Sequence, residues 1–354
     1  MNDKYERVME LSRRRGFIWP SVELYGGVRG FIDFGPLGAV LKHNIEAKWR
    51  RLFIDRHCSF IVEIESPIIM PEKVFEASGH LEHFTDYVVE CLSCKRKFRA
   101  DHLVESVVDV EDVERLSADE LSDIICENDI RCPECGGKLG TVRNFNLLFK
   151  SNIGPYSDHV GYARPEAAQG MFLAFKRVYE AMRFRLPLGV AQVGRVMRNE
   201  ISPRQGPIRL REFTIMEIEL FFDPEDPDCS LFNSVGDEIL RLIPQSNLKK
   251  NDWEPLEIYA KKAVDEGLIL NEWQAYFMVL GKKFVEDLGV PQSNQLFVDK
   301  LPEERAHYSA QTFDQVVHLD RWGYVEVAGY SYRTDYDLSR HMSASGVDLL
   351  SLIH

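Results

Sequence analysis

The chain has 354 residues, and 43 Lys and Arg against 56 Asp and Glu leave a formal net charge of −13. At 45% hydrophobic and 28% charged residues, the composition excludes a disordered chain, a collagen-like fibre and a small disulfide-stapled scaffold. The length suits two domains, or one large domain with an insertion. The negative balance argues against a protein that coats nucleic acid by bulk electrostatics, although a local basic groove stays open.

In chain order, Met1 to Arg15 is charged and helical in pattern, without the apolar core of a secretory signal. The cluster Arg13, Arg14, Arg15 reads as a solvated helix end. Glycines 26, 27, 30, 35 and 38 lack phosphate-loop spacing and read as a turn-rich lead into a helix. That helix is expected over 37–56, with Leu37, Val40, Leu41, Ile45, Trp49, Leu52 and Phe53 at helical spacing. A strand follows at Phe60–Glu65 and ends at Ser66-Pro67, since proline cannot donate to a ladder. Residues 87–142 change character and read as an inserted module, with an acidic stretch from Asp109 to Asp123. A helix is expected over Gln169–Phe184 and two strands joined by a polar loop over 190–222. A turn follows at Asp223–Pro227, then a mostly helical Leu256–Leu288 broken near Gly267, then a strand at Tyr324–Ala328. No apolar run reaches the ~20 residues needed to cross a bilayer.

Seven cysteines, an odd count, point to a reducing compartment and hence to the cytoplasm. Four form two pairs, Cys91-Leu-Ser-Cys94 and Cys132-Pro-Glu-Cys135. Two such turns supply the four-sulfur tetrahedron that Zn2+ favours, and with all four positions taken by sulfur the metal is structural. Gly136 and Gly137 suit the chain reversal after the second pair. The gap between the pairs exceeds ribbon spacing and calls for a helical excursion. The histidines His80, His83, His102 and His307 have no metal-like spacing and read as structural or surface residues.

The stretch Ala191–Phe222 is the most informative. On its second strand Arg209, Arg211, Phe213, Glu217 and Glu219 share one face, and Leu210, Thr214, Met216, Ile218, Leu220 and Phe222 the other. Gln192, Arg198 and Glu200 share a face on the first. A face with guanidinium groups, an aromatic ring and carboxylates is costly in a core. It fits a site for a polyanion with an aromatic base, or else an exposed salt-bridged sheet.

This hairpin resembles motif 2 of the class II aminoacyl-tRNA synthetases, R-x-E, loop, R-x-x-x-F-x-x-x-E, here Arg198-Asn199-Glu200, then Arg209, Phe213 and Glu217. Residues 37–67 resemble motif 1, with Pro67 as its closing proline. Four stretches are similar to glycyl-tRNA synthetases of the archaeal and eukaryotic type: Gly161–Gly170 (GYARPEAAQG), Tyr25–Gly38, Arg198–Gly206 and Arg333–His341. The resemblance covers nearly the whole chain. It implies an α+β fold, a six-stranded antiparallel sheet flanked by helices, dimeric through motif 1, with the zinc-ribbon-like module inserted. The expected division is 1–86 with motif 1, 87–142 the four-cysteine zinc module, and 143–354 the remainder with motif 2.

The implied reaction joins glycine and ATP, with Mg2+, into glycyl-adenylate and then charges tRNA(Gly). Arg198 would hold the α-phosphate, Glu200 the adenine amine and Arg209 the γ-phosphate, while Phe213 would stack on adenine. Asn199, Leu210, Glu326 and Val327 would add ATP contacts. Glu166 and Glu217 would bind the glycine ammonium, and Arg99 matches a position near the substrate.

Three departures are visible. The family's third motif and anticodon-binding domain are absent before His354, which implies a truncated chain. A split subunit and a non-catalytic relative are the alternatives. Ala167 stands where the family has Thr, and Tyr332 where it has Asp. Whether the cysteine module touches the tRNA acceptor stem stays open.

Overall fold

The computed structural model describes residues 4–108, 113, 116–155, 158–203, 206–306 and 308–350. His307, residues 109–112 and 114–115 of the acidic stretch, residues 204 and 205 of the polar loop, and His354 lie outside them.

The N-terminal pattern forms α1 (Lys4–Arg14). The apolar repeat from Leu37 forms α2 (Pro36–Phe53), opened by proline at a first-turn position where no amide is missed. Gly38 is required there: a Cβ would lie 1.9 Å from the Phe17 carbonyl oxygen, so the helix start packs directly on backbone. Trp49 and Phe53 at the far end are buried, whereas Leu37, Val40 and Leu41 are exposed.

Three strands carry the candidate site. β1 (Ile61–Glu63) pairs parallel with β2 (Leu188–Met197), which pairs antiparallel with β3 (Glu212–Phe221). Behind β2 and β3 runs α3 (Ala168–Ala181), where Met171, Phe172 and Phe175 pack with Leu188, Val190 and Phe221. The even-numbered face of β3 packs as its alternation predicts. Met216, Ile218, Leu220 and, just past the strand, Phe222 lie against the largest core, built on Trp49, Phe53, Trp273 and Phe297.

A five-stranded sheet follows, in the order β5 (Leu256–Tyr259), β4 (Ile239–Ile243), β6 (Gln295–Asp299), β7 (Gln311–Leu319), β8 (Gly323–Tyr332). It departs from the six antiparallel strands the resemblance implies, because β4 and β6 are parallel. The physical reason is β5: running antiparallel to β4, it brings the chain back to the end where β4 begins, and the helical segment containing α4 (Glu272–Asp287) leads from there into β6. Asn271 caps α4, accepting from the Gln274 amide at 2.8 Å. Leu256–Tyr259, expected as helix, is strand; its alternating LEIY pairs with β4. Strands β4, β6 and β7 were not foreseen. The break at Gly267 and the turn near Asp223 fall where expected. β8 extends the expected strand in both directions, and α5 (Tyr336–Ser345) follows it.

Between Thr85 and Asn146 a separate apolar cluster forms from Val89, Phe98, Leu103, Leu121 and Ile125 among others. Two helices, Ala100–Glu105 and Ala118–Glu127, make the excursion between the cysteine pairs. Ser117 and Glu120 close a capping box on the second. Among the described residues, no helix is long and apolar enough to cross a membrane.

Candidate active site

Where β2 ends, Arg198 turns its guanidinium onto the Phe213 ring, 5.3 Å from the centroid, with Phe84 at 5.9 Å on another side. Its Nε donates to the Pro165 carbonyl at 3.1 Å, which ties it to the loop holding Glu166. Phe213 faces Val196 across the ladder. Glu200 lies just past β2, its carboxylate mostly covered and 4.0 Å from Arg209. Arg209 and Arg211 precede β3 and are not part of its ladder. Arg211 is spent on backbone: it donates to the carbonyls of Glu200 (2.8 Å) and Arg29 (2.7 Å). Arg209 faces the Glu200 carboxylate instead, its side chain 40% exposed. Asn199 is pinned by its amide to the Leu147 carbonyl at 2.7 Å, and Leu210 sits half-buried in the same turn.

Beside this lies a layer of buried charge. Glu166 accepts from Gln169 at 3.0 Å and lies 3.4 Å from His80 Nε2 and 3.7 Å from Arg333. Despite burial, His80 and Arg333 keep its carboxyl below the ordinary range. Glu217 accepts from the Ala167 amide at 2.5 Å. Burial, followed by the neighbouring Glu166 charge, pushes Glu217 up to about 7. Glu219, two residues on and on the same face, is pushed by burial to about 8. Arg333 anchors the layer with a bidentate bond to Asp337 (2.7 and 2.9 Å), one helical turn on, and lies over the Tyr308 ring at 3.7 Å. Gln169 bridges Glu166, Asp337 and His341.

On β8, Glu326 is pushed up by burial and by Asp314 on the paired strand, and it senses Arg198 and Arg209. Val327 is the extra residue of a β-bulge, because the register steps from Gln315↔Ala328 to Val316↔Glu326. Arg99 stands with Asp101 (3.1 Å) and Asp86 (3.5 Å). Asp86 in turn senses Glu200 and Arg209, so Arg99 belongs to that side of the site.

The site therefore gathers Arg198, Glu200, Arg209, Phe213 and Glu326 on one side and Glu166 with Glu217 on the other. In the sequence Arg333 and Asp337 stand only as members of one motif, not as a pair. The i, i+4 spacing was the available signal. His80 is buried as a structural histidine, yet it touches Glu166; nothing in the sequence connects them. The two departures are accommodated by backbone and packing. Ala167 contributes its main-chain amide, and Tyr332 turns its ring onto Phe222 at 6.1 Å.

The four cysteine sulfurs Cys91, Cys94, Cys132 and Cys135 lie within 4.8 Å of one another. Cys91 and Cys135 are 3.5 Å apart, Cys94 and Cys132 3.7 Å. A tetrahedron with metal–sulfur bonds of ~2.3 Å has edges of about 3.8 Å, so the set fits a metal ion. The Cys94 amide reaches the Cys91 sulfur at 3.5 Å and is the main reason that thiol falls to about 6. Gly137 passes so close that a Cβ would meet Ser93 Oγ at 2.5 Å. The cluster can hold a metal through four thiolates.

No family model matches the chain. Among solved structures, a Giardia lamblia prolyl-tRNA synthetase in complex with prolyl-adenylate superposes with a TM-score of 0.51 at 13% identity, over 94% of this chain and 45% of that one. The fold is that of the class II aminoacyl-tRNA synthetases. Curated proteins named glycine–tRNA ligase match far more closely in sequence. That of Aeropyrum pernix is 57% identical over 349 residues, that of Pyrococcus furiosus 53% over 352, and that of Methanocaldococcus jannaschii 46% over 351. Each match covers at least 98% of this chain. The chain is thus a homologue of the glycine–tRNA ligases, and it spans about 60% of the length of those relatives.

Proposed function

We propose that this chain carries the adenylate-forming site of a glycine–tRNA ligase. It would activate glycine with ATP–Mg2+ and pass it to the 3′ end of tRNA(Gly). The observation that carries the reading is the pairing of two unlike half-sites. Arg198 lies over Phe213 on one side, and Glu166 with Glu217 forms a carboxylate pair on the other, linked through Pro165 and Ala167.

In this reading Glu166 and Glu217 clamp the glycine ammonium. Arg198 holds the α-phosphate, Phe213 stacks on adenine, and Glu200 accepts from the adenine amine. Arg209 reaches the γ-phosphate. Asn199, Leu210, Glu326 and Val327 line the nucleotide side, and Arg99 steadies it through Asp86. A glycine carboxylate oxygen attacks the α-phosphorus, the bond to the β-phosphate oxygen breaks, and pyrophosphate leaves. Both reactants are anionic, so charge neutralisation and alignment supply most of the rate. The terminal ribose hydroxyl of tRNA then attacks the carbonyl and releases AMP.

Further parts of the reading are a structural Zn2+ on the four thiolates and the division 1–86, 87–142 and 143–354. A cytoplasmic location belongs to it too, as does a homodimer through residues 37–67. The dimer is supported by the exposed Leu37, Val40 and Leu41 and by the almost fully exposed Leu24 and Tyr25.

A second reading, a chain that a partner segment must complete, is favoured by one feature. β3 and β8 are both edge strands, and they approach each other through the Phe222–Tyr332 stack.

Glycine-dependent exchange of pyrophosphate into ATP tests the reading. Exchange that Arg198→Ala abolishes supports it. Exchange that survives Arg198→Ala would overturn the assignment. Exchange absent from the chain alone but restored by a C-terminal ligase fragment supports the second reading.

A further inference from the structure

Ser202, Pro203 and Arg211, between β2 and β3, are gripped from two sides. On one side stands the N-terminal part of the chain. The Arg211 amide donates to the Gly30 carbonyl and its guanidinium to Arg29. Gly30 packs so tightly on Pro203 that a Cβ would lie 2.8 Å from its ring. On the other side is the cysteine module, which reaches the segment through Ser202. The Ser202 hydroxyl donates to the Lys97 carbonyl at 2.6 Å.

Both partners in that bond are unusual. Ser202 has φ +48°, a left-handed conformation that L side chains other than Asn and Asp disfavour. A residue held there is over-determined by its surroundings, and here the surrounding contact is the Lys97 carbonyl. Lys97 opens the strand Lys97–Arg99, which among the described residues is an edge strand paired only with Thr85–Glu90. The preceding carbonyl, Arg96, is taken by the Cys91 amide. Successive carbonyls of a strand point to opposite sides, so that of Lys97 faces away from the ladder. Ser202 takes the place of the missing neighbour strand.

Lys97 lies three residues beyond Cys94. The turn that places it is fixed by the Cys94 amide on the Cys91 sulfur and by the Cys91–Arg96 bond. A metal on the four thiolates would lock that turn, since thiolate ligation and local folding are one equilibrium. Two residues before Ser202 lies Glu200, whose carbonyl Arg211 holds. A continuous line of short contacts thus runs from the sulfur cluster through Lys97 and Ser202 to the loop bearing Glu200 and Arg209.

We propose that Ser202 is a positioning residue that couples metal loading of the four-cysteine cluster to residues 198–203, so that a bound metal sets the order of that segment. If the segment binds ATP, as the proposed function holds, metal loading also sets nucleotide affinity. That second step rests on the functional reading, whereas the coupling itself does not.

The test is amide hydrogen exchange on the full chain in four states: wild type and Ser202→Gly, each zinc-loaded and chelator-stripped. Glycine keeps the left-handed backbone accessible and removes the hydroxymethyl group that makes the bond. Loss of one such bond is expected to raise exchange at amides 198–203 about tenfold in zinc-loaded Ser202→Gly. Stripping the wild type should give the same rise. Stripping the variant should add nothing at 198–203, although 91–99 and 131–140 open. Multiplying effects, or a segment unmoved when the module opens, would overturn the coupling. ATP titration separates the two layers. A roughly tenfold weaker ATP affinity in both singly perturbed states, with glycine affinity unchanged, extends the coupling to the nucleotide. Wild type that binds no ATP would refute the functional reading while the exchange pattern still decides the coupling.

Discussion

The main-chain amide of Ala167 donates to Glu217 Oε2 at 2.5 Å. This bond joins the loop that presents Glu166 to the strand that presents Glu217, and so sets the two carboxylates side by side. Because the donor is backbone, replacing the family's threonine by alanine leaves it intact.

The burial of Glu217, which outweighs the Ala167 bond, gives the carboxyl a pH dependence. Glu217 titrates at about 7 against an ordinary 4.5. The folded state therefore binds its proton more tightly than the unfolded chain does. That contribution to stability is full below pH 4.5 and is lost as pH rises through 7. Glu217→Gln removes the titration and keeps an acceptor for Ala167. Relative to wild type, the variant should gain on the order of 2 kcal/mol between about pH 5 and pH 8. Urea midpoints at the two pH values measure this, and an unchanged difference would count against it. Glycine binding to the wild type should weaken as pH falls below about 7, because the ammonium requires the ionised carboxylate.

Arg333 and Asp337 form a pair covered by Phe172 and Tyr308. Asp337→Asn leaves a buried guanidinium beside Glu166 with one charge fewer to balance it. Breaking such a pair costs about 3–5 kcal/mol. Denaturant unfolding should show that loss, and a change below ~1 kcal/mol would mean that the pair is solvated, as surface pairs are.

Removing a metal from the cysteine cluster should unfold the cysteine module and, outside it, loosen only the segment that Ser202 ties to Lys97. The cysteine cluster is flanked by a separate apolar core of Val89, Phe98, Leu103 and Leu121. Chelation, or Cys132→Ser, is expected to unfold 91–99 and 131–140 and leave the core around Trp273 and Phe297 closed. Metal analysis should give about one ion per chain, lost in Cys132→Ser. Equal metal content in the variant would exclude the four-thiolate site.

Gly281 on α4 seats the Tyr330 hydroxyl: a Cβ there would lie 1.6 Å from Tyr330 Oη. Gly281→Ala gains at most ~1 kcal/mol of helix propensity. Overpacking costs about 1–3 kcal/mol, because Tyr330 is also hydrogen-bonded to Gln315 at 2.8 Å. Net destabilisation is therefore expected, and Tyr330→Phe, which removes the clashing oxygen, should recover part of it. A thermal shift series on the single and double variants measures both.

Local chemistry was legible in the sequence. Helical spacing placed α2 and α3, alternation placed β3 and its apolar face, and paired cysteines with following glycines marked the cluster. Those patterns depend on periodicities of one element at a time. The anchors Arg198, Glu200, Phe213 and Glu217 were legible because one hairpin carries them all.

What only the tertiary structure decided involves residues far apart in the chain. β6 and most of β7 escape sequence patterning because burial on both faces erases the alternation that marks a strand, and β4 spans only five residues. The fate of each charge was equally hidden. Arg211 and Arg209 look alike in sequence, yet one is bonded to the carbonyls of Arg29 and Glu200 while the other faces the Glu200 carboxylate. Glu166 is held below the ordinary carboxylate range by His80 and Arg333, while burial and the neighbouring Glu166 push Glu217 up. A carboxylate's chemistry is set by what packs around it, and that is assigned by the fold.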